Sequence, residues 1–491
     1  MNKGLVAVLA VVVLGLLAGA AVPVAERYAA QQIKAEIERD GQASVGAVEV
    51  GLIDRRVTLV DLRSHAFGEA TVGRWQASGL SESLGDLLRG RTPLSDFKLG
   101  DPLQADHVEL VDARMIDPSS GAGWNVGSLV IDRLDLASYD ANAPGPHRVA
   151  ILTARIAKAL SVQRIEGKNA AYTFPETGDA ISARRVAVDG FSRGRIGALR
   201  VADLEVAPRA STEVAFKIDE IKAKDVELGR VLAQLGDTSW RPGRPLGRIE
   251  VGSAAAAGFG GSLLSRNGVS LDSVSFETTR ESPDSSRSRL RVEDLILRPA
   301  ANLEAVRLRA VLQAMGLSEL KLGLDCTGAE RRDKRELVIE RCALAAADLW
   351  DLSFAATLTD ADEAFWRAVD DGNAMILSRS SIALASATLM LADKGIVDRS
   401  VRALAATTGQ SPAVARANLA RDIRTYQPPD ILITEDLTRL LDTAARFIEQ
   451  GGTLGLEARP DPPLGLAAAS RMNLAAPDLV NLLGLSATLS R

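Results

Sequence analysis

At 491 residues the chain exceeds what one hydrophobic core usually supports, so two or more subdomains, or one element that grows lengthwise, are expected. Charged residues make up 25% and the net charge is −5, with both signs interspersed, which leaves no electrostatic footprint for nucleic acid. Aromatic residues are only 4%, so the core must be built from Leu, Val, Ile and Ala, and stacking platforms for bases or sugars are scarce.

The first predicted element is the run from Leu5 to Val22, which holds no charged or strongly polar residue. With Pro23, Val24 and Ala25 it reaches the roughly 20 residues needed to cross a bilayer. Only Lys3 and the terminal amine precede it, and because positive charge stays cytoplasmic the C-terminal bulk points outward. Ala18-Gly19-Ala20 leaves a cleavable signal peptide as the competing reading, disfavoured because the run exceeds the usual apolar region of roughly 7–15 residues. Residues 1–25 are therefore expected to be a transmembrane anchor. Ala29, Ile33 and Ile37 stand at helical spacing among charged residues and predict a juxtamembrane helix within 26–42.

Beyond it the pattern has period two, which argues for strands with one buried face. Val48, Val50 and Leu52 alternate, Asp54-Arg55-Arg56 breaks the run, and Val57 and Leu59 resume it, as in a hairpin. A short helix is predicted at Leu84 to Leu88, with a glycine stop at Gly90. Ala202, Leu204 and Val206 alternate, as do Val214, Phe216 and Ile218, Val269 and Leu271, Leu290 and Val292, and Leu320, Leu322 and Leu324. Strands that follow one another without long helices favour an antiparallel sheet. Polar stretches at 118–123, 236–247 and 281–289 read as loops or joints.

The texture changes beyond Ile396. Ser411 as N-cap and Pro412 at the first helical position predict a helix to Thr425. Thr434 caps a second, in which Leu437, Leu440, Leu441, Ala444 and Ile448 form an apolar stripe ending at Gly451 and Gly452. Ala476 to Leu485 reads as a short amphipathic helix around Leu479, Leu482 and Leu483. The expected class is mainly β with α: an N-terminal transmembrane helix, an extended antiparallel sheet, and helical insertions concentrated in the C-terminal part. The expected parts are an anchor (1–25), a juxtamembrane helix (26–42), β-rich subdomains over 43–240 and 241–395, and an α+β part over 396–491.

Candidate chemistry is sparse. Gly190-Phe191-Ser192-Arg193-Gly194 matches the nucleophile-elbow pattern, but a strand-like segment follows it where a helix is needed. His65, His107 and His147 also all precede Ser192, against the required Ser, acid, His order, so a hairpin turn is expected. The histidines have no metal-ligand spacing, and Gly258-Phe259-Gly260-Gly261 lacks the remaining residues of a nucleotide loop. Asp370-Asp371 would point to opposite faces of a strand. Arg331-Arg332-Asp333-Lys334-Arg335 reads as a solvated hairpin tip. No catalytic residue, cofactor site or metal site is assigned.

That charged run, centred near Lys334, places Cys326 opposite Cys342 in an antiparallel hairpin, with Leu324 opposite Leu344 on the same face. A cross-strand disulfide is expected, although Glu340, on the face of Cys342 by simple alternation, counts against it.

The segment from Ala77 to Val111, with its strand, Leu-Leu-Arg-Gly insertion and second strand, resembles the modular texture of AsmA-like envelope proteins. The N-terminal anchor followed directly by the Val48 to Leu62 hairpin is similar to the same family. The resemblance covers about a quarter of the chain. It implies a protein of the bacterial inner membrane, with a long curved sheet in the periplasm and a link to lipid movement or outer-membrane homeostasis, and it supplies no catalytic residues.

Two readings follow. In the first, a non-enzymatic envelope protein presents an apolar sheet face, for which Leu320, Leu322 and Leu324 are candidates, to lipid or another amphipathic ligand. In the second, a scaffold binds partner envelope proteins and its sheet is covered by its own helices. Apolar alternation along many strands, with few strong helices before Ile396 to cover it, favours the first.

Overall fold

A computed structural model describes residues 22–65, 69–81, 83–89, 91–92, 100–116, 123–143, 148–174, 177–209, 213–239, 246–298, 306–371, 380–427, 433–465, 467 and 479–491. Leu5 to Ala21, the body of the expected anchor, and Gly90 lie outside the described residues. Among the described residues no helix is long and apolar enough to cross a membrane. The chain divides into two compact units, Met1–Arg244 and Pro245–Arg491.

The first unit opens with helix α1, which the described residues carry over 22–38, earlier than the 26–42 expected. Ala29 and Ile33 are buried in the core cluster formed with Val57, Leu59, Ala77 and Val108, and Ile37 packs against it. The helix is also tied down by polar contacts. Leu52 N donates to Glu26 Oε1 at 3.0 Å, Val45 N to Glu38 Oε1 at 3.1 Å, and Lys34 Nζ to the Gly46 carbonyl at 3.2 Å.

An antiparallel meander follows: β1 (Ala43–Ser44), β2 (Ala47–Gly51), β3 (Arg56–Ser64), β4 (Glu69–Ser78), β5 (Leu103–Ile116), β6 (Gly123–Leu136), β7 (Leu160–Thr173), β8 (Ala180–Ser192), β9 (Arg195–Ala207) and β10 (Phe216–Glu227). From β3 onward each strand pairs with the next, while β1 and β2 both pair with β3. Between β4 and β5 lies α2 (Leu84–Leu88), whose N-cap Ser83 accepts from Asp86 N. Two further helices, α3 (Arg148–Ala159) and α4 (Gly229–Leu235), pack on each other and carry no cap signal that marked them in the sequence.

The long strands owe their shape to left-handed residues. Asp61 (φ 54°), Asp112 (53°), Asn169 (53°) and Asp203 (50°) sit within β3, β5, β7 and β9 at mutually aligned positions. Asp and Asn, with short side chains that bond locally, are the residues besides Gly that adopt this conformation most readily. On the strands between, Gly73 and Gly127 leave room: a Cβ there would stand 3.3 Å from the Cβ of Asp112 or Asn169. A second line crosses the even strands at Arg133, Gly190 and Asp225 and meets Gly79 just past the end of β4, all with positive φ. On β6, β8 and β10 the two lines lie six residues apart, at 127 and 133, 184 and 190, and 219 and 225, or about 20 Å.

At each line the apolar positions step by three instead of two. Leu59 to Leu62, Ala105 to Val108 and Ile131 to Leu134 cross a line yet belong to or pack on one core cluster. The alternation of Ala202, Leu204 and Val206 is corrected accordingly: Asp203 interrupts it, Ala202 pairs with Arg185 and Glu220 in a polar row, and Val201 and Leu204 hold the apolar positions.

The second unit is again an antiparallel sheet: β11 (Glu250–Gly260), β12 (Val269–Ser270), β13 (Ser273–Ser282), β14 (Ser285–Leu297), β15 (Leu320–Arg331), β16 (Glu336–Ala346), β17 (Trp350–Thr359), β18 (Ala383–Asp393), β19 (Thr453–Ala458), β20 (Leu464–Gly465) and β21 (Leu485–Ser490). The stretch 281–289, expected as a loop, is instead the tip of a hairpin in which Ser282 pairs with Ser285. Short helices α5 (Ser262–Arg266), α6 (Val306–Ala314) and α7 (Glu363–Asp370) interrupt the meander.

Residues 396–491, expected as a separate part, belong to this unit because β19 pairs with β18 and β21 with β19. Their helices are α8 (Ile396–Thr408), α9 (Pro412–Arg424) and α10 (Glu435–Gln450). Ser411 accepts from Val414 N and Thr434 from Leu437 N, as the capping signals require. On α10 the expected stripe is rotated. Leu437, Thr443, Ala445 and Phe447 are buried while Leu440, Leu441, Ala444 and Ile448 are half-buried, because α10 packs against both α9 and the β19–β21 strands. Of the amphipathic helix expected over Ala476 to Leu485, the described residues carry α11 (Leu479–Leu482), and Leu485 already belongs to strand β21, in which Leu485, Ala487 and Leu489 are turned to the half-buried side.

Candidate functional site

Cross-strand register assembles, in each unit, an apolar belt that no single strand announces. In the second unit one row runs Ala254, Phe276, Leu290, Cys326, Cys342, Phe354, Leu389, Leu456 and Ala487, each directly opposite the next. Beside it a second row runs Ala256, Val274, Val292, Leu324, Leu344, Leu352, Leu391, Leu454 and Leu489. Side chains two apart on a strand share a face, so the rows form one strip.

Helices cover one end of it: Leu391, Leu454 and Leu489 pack against the cluster of Val397, Val401, Ala405, Ala415 and Phe447. A second cluster, around Phe365, Trp366 and Ile382, takes up Leu337 and Leu358 nearer the opposite strand ends. Phe276, Leu290, Leu324, Leu344, Leu352 and Phe354, in the middle, are only half-buried. The candidate residues fall here. Leu324 lies in the belt, Leu322 continues it between Leu295 and Ala346, and Leu320 stands opposite Leu297; all three are half-buried.

The first unit repeats the arrangement. Leu59, Trp75, Leu110, Leu129, Gly167, Val186, Val201 and Ile221 form one row, and Val57, Ala77, Val108, Ile131, Ile165, Val188, Leu199 and Ala223 the other. Helix α1 buries the end at Val57 and Leu59, whereas Ile165, Val186, Val188, Leu199, Val201 and Ile221 remain half-buried.

On β14, β15 and β16 the reverse face of the second sheet carries ion pairs. Arg289 Nε donates to Asp325 Oδ1 at 2.8 Å and Arg287 Nη2 to Glu340 Oε1 at 2.8 Å. The Arg289 guanidinium holds the Asp325 carboxyl below its ordinary range. Such exposed pairs add little stability, but they give the sheet one wet and one apolar side.

The structure brings Cys326 and Cys342 together as a disulfide in the middle of the apolar row. Glu340 does not share their face by simple alternation, because it is the extra residue of a bulge and its carboxylate pairs with Arg287.

The remaining motifs acquire structural roles. Arg193 (φ 49°) and Gly194 (φ 90°) form the two-residue turn between β8 and β9, and Ser192 Oγ lies 3.1 Å from Ser161 Oγ. His107 Nδ1 lies 2.8 Å from Asp132 Oδ1 on the adjacent strand, His65 is exposed, and His147 lies outside the described residues. Among the described residues no three His, Cys, Asp or Glu side chains converge on a metal-sized site.

The charged hairpin tip is not wholly solvated. Arg332 donates to both Asp370 carboxylate oxygens, at 3.0 and 2.7 Å, and lies 5.0 Å from the centre of the Trp366 ring. The Asp370 carboxylate raises the Arg332 pKa. Asp370 closes helix α7 and Asp371 is its C-cap, so the pair is helical and not part of a strand. Sequence reasoning missed this contact because it joins residues 38 apart.

Residues 343–490 match a protein-family model described as "Uncharacterized protein". No curated protein matches the chain.

Proposed function

We propose that this chain is a non-enzymatic, membrane-anchored protein of the bacterial cell envelope that binds or moves lipid-like ligands along the apolar face of its sheet. The observation that carries the reading is the belt itself: two unbroken apolar rows whose middle is half-buried while, among the described residues, the helical cluster packs on the end at Leu391, Leu454 and Leu489. An apolar surface of more than a few hundred Å² is seldom left to water without a ligand or partner. Acyl chains suit it chemically, since the belt offers aliphatic side chains and no charged group at its centre.

The N-terminal run supplies the anchor in this reading, with the bulk of the chain in the periplasm. At the end of α1 nearest that run, Val24 and the hairpin-tip residue Ile53, 87% exposed, are apolar residues suited to a membrane surface. The resemblance to AsmA-like proteins points the same way. A second reading, an envelope scaffold for partner proteins, draws on the packing of α8 and α10 against the belt's end.

Mass spectrometry of small molecules that accompany the full chain through purification in mild detergent separates the two. Lipid should co-purify with the wild type and be lost from a Leu324→Glu, Leu344→Glu variant that keeps its circular dichroism. A wild-type chain free of lipid, under conditions where known lipid carriers retain theirs, overturns the proposal.

A further inference from the structure

The first unit carries a second apolar feature that a ligand belt does not require. Beyond the line through Asp112 and Asn169, a row runs Met115, Trp124, Tyr172, Ile181, Val206 and Phe216, each opposite the next. It lies two residues from the row of Ala113, Val126, Ala170, Ala183, Leu204 and Ile218, which continues the belt face through Val72 and Leu62. Phe174 meets Tyr172 edge to face, with ring centres 5.1 Å apart.

In a chain with 4% aromatic residues, three adjoining rings are left open to solvent: Trp124 is 39% exposed, Tyr172 37% and Phe174 42%. The described charged residues around them carry both signs, with Glu69, Asp179, Glu205 and Glu213 against Arg114, Arg209 and Lys217.

We infer that this aromatic corner docks on a lipid–water interface. Trp and Tyr combine an apolar ring with one polar atom and favour the headgroup level of a bilayer, and the lack of a positive excess among the described residues around them matches a zwitterionic surface more than an anionic one. The corner is also remote from the anchor end. The described part of helix α1 starts beside the β2–β3 turn, where Leu52 N meets Glu26, on the side of the sheet crossed by the line through Arg133. On β6, Trp124 stands nine residues from Arg133, about 30 Å along the strand. The surface it meets is therefore a second one, apart from the membrane that holds residues 1–25, an inference that rests on the proposed function.

The test uses the full chain held in lipid nanodiscs, to which vesicles of phosphatidylcholine brominated on the acyl chains are added. Bromine quenches an indole only at contact distance. The vesicles should quench part of the tryptophan emission, and Trp124→Phe should abolish most of that quenching with the thermal melt unchanged. Tyr172→Ala with Phe174→Ala should weaken vesicle binding several-fold. The Leu324→Glu, Leu344→Glu chain, which reports on the ligand belt, should quench like the wild type, so failure of one proposal leaves the other standing. No quenching by the vesicles, equal quenching in Trp124→Phe, or quenching that appears only with anionic lipid overturns the inference.

Discussion

Cys326 and Cys342 stand directly opposite each other because Glu340 is one residue too many for the ladder. The turn sets Arg331 against Glu336, and the register holds to Gly328 against Ile339. Thr327 then faces Arg341, leaving Glu340 over, and the shift carries Cys342 into line with Cys326 and Leu344 with Leu324. Without the bulge, Cys326 would face Arg341.

Cross-linking these strands closes a 16-residue separation, which contributes about 3 kcal/mol in the chain-entropy account. Cys326→Ala with Cys342→Ala should lower the urea midpoint accordingly, and reductant should bring the wild type to the same midpoint. If reductant leaves the wild-type transition where it was, the cross-link does not stabilise this sheet.

Asp112 adopts φ 53° in mid-strand, where a β-branched side chain is strongly disfavoured. Asp112→Val should cost about 1–2 kcal/mol or more, whereas Asp112→Gly should change stability little. Thermal melts of the two variants distinguish them. Equal losses would mean the carboxylate, and not the backbone conformation, is what the position needs.

Arg332 joins the β15–β16 turn to α7 through Asp370 and Trp366. Arg332→Ala should destabilise by about 1.5–3 kcal/mol, the range for hydrogen bonds to charged groups. Arg332→Lys should recover little, since an ammonium cannot make the two-pronged contact or stack as a plane. Denaturant unfolding of both variants checks this, and full recovery by lysine would refute the geometric argument.

Asp362 caps α7 by accepting from Phe365 N at 2.8 Å and from Ser381 Oγ at 2.8 Å, which hold its carboxyl below the ordinary range. A depressed folded pKa gives stability that is complete above the unfolded value, near 4, and is lost as pH falls through the folded one. Asp362→Ala should therefore cost about 1 kcal/mol at neutral pH. The difference should shrink as the wild-type carboxyl is protonated. Urea midpoints of the two chains across the acid range read this directly, and a gap that widens toward low pH would reverse the sign.

Local signals were the readable part of this chain. Ser411 and Thr434 cap helices because a side-chain oxygen and a nearby N–H suffice to define the site. Single strands such as Leu320 to Leu324 were readable for the same reason, since alternation lies within one segment. The phase shifts at Asp61, Asp112, Asn169 and Asp203 were not, because a lone aspartate in a strand looks like any exposed position until its neighbours are aligned. The candidate face was seen as three leucines of one strand, while its rows exist only through pairing between segments far apart in sequence. The helix read over Ala476 to Leu485 rests on the helical spacing of Leu479, Leu482 and Leu483, and it overlaps strand β21 only at Leu485.

The central claim is that the half-buried middle of the belt is where the ligand lies. Photo-crosslinking the full chain with a fatty acid bearing a diazirine on its acyl chain, followed by peptide mapping, addresses this most directly. The labelled residues should cluster at Phe276, Leu290, Leu324, Leu344, Leu352 and Phe354, and the label should fall sharply in the Leu324→Glu, Leu344→Glu chain. Label confined to α8, α9 and α10, or spread evenly over both faces of the sheet, would contradict the account.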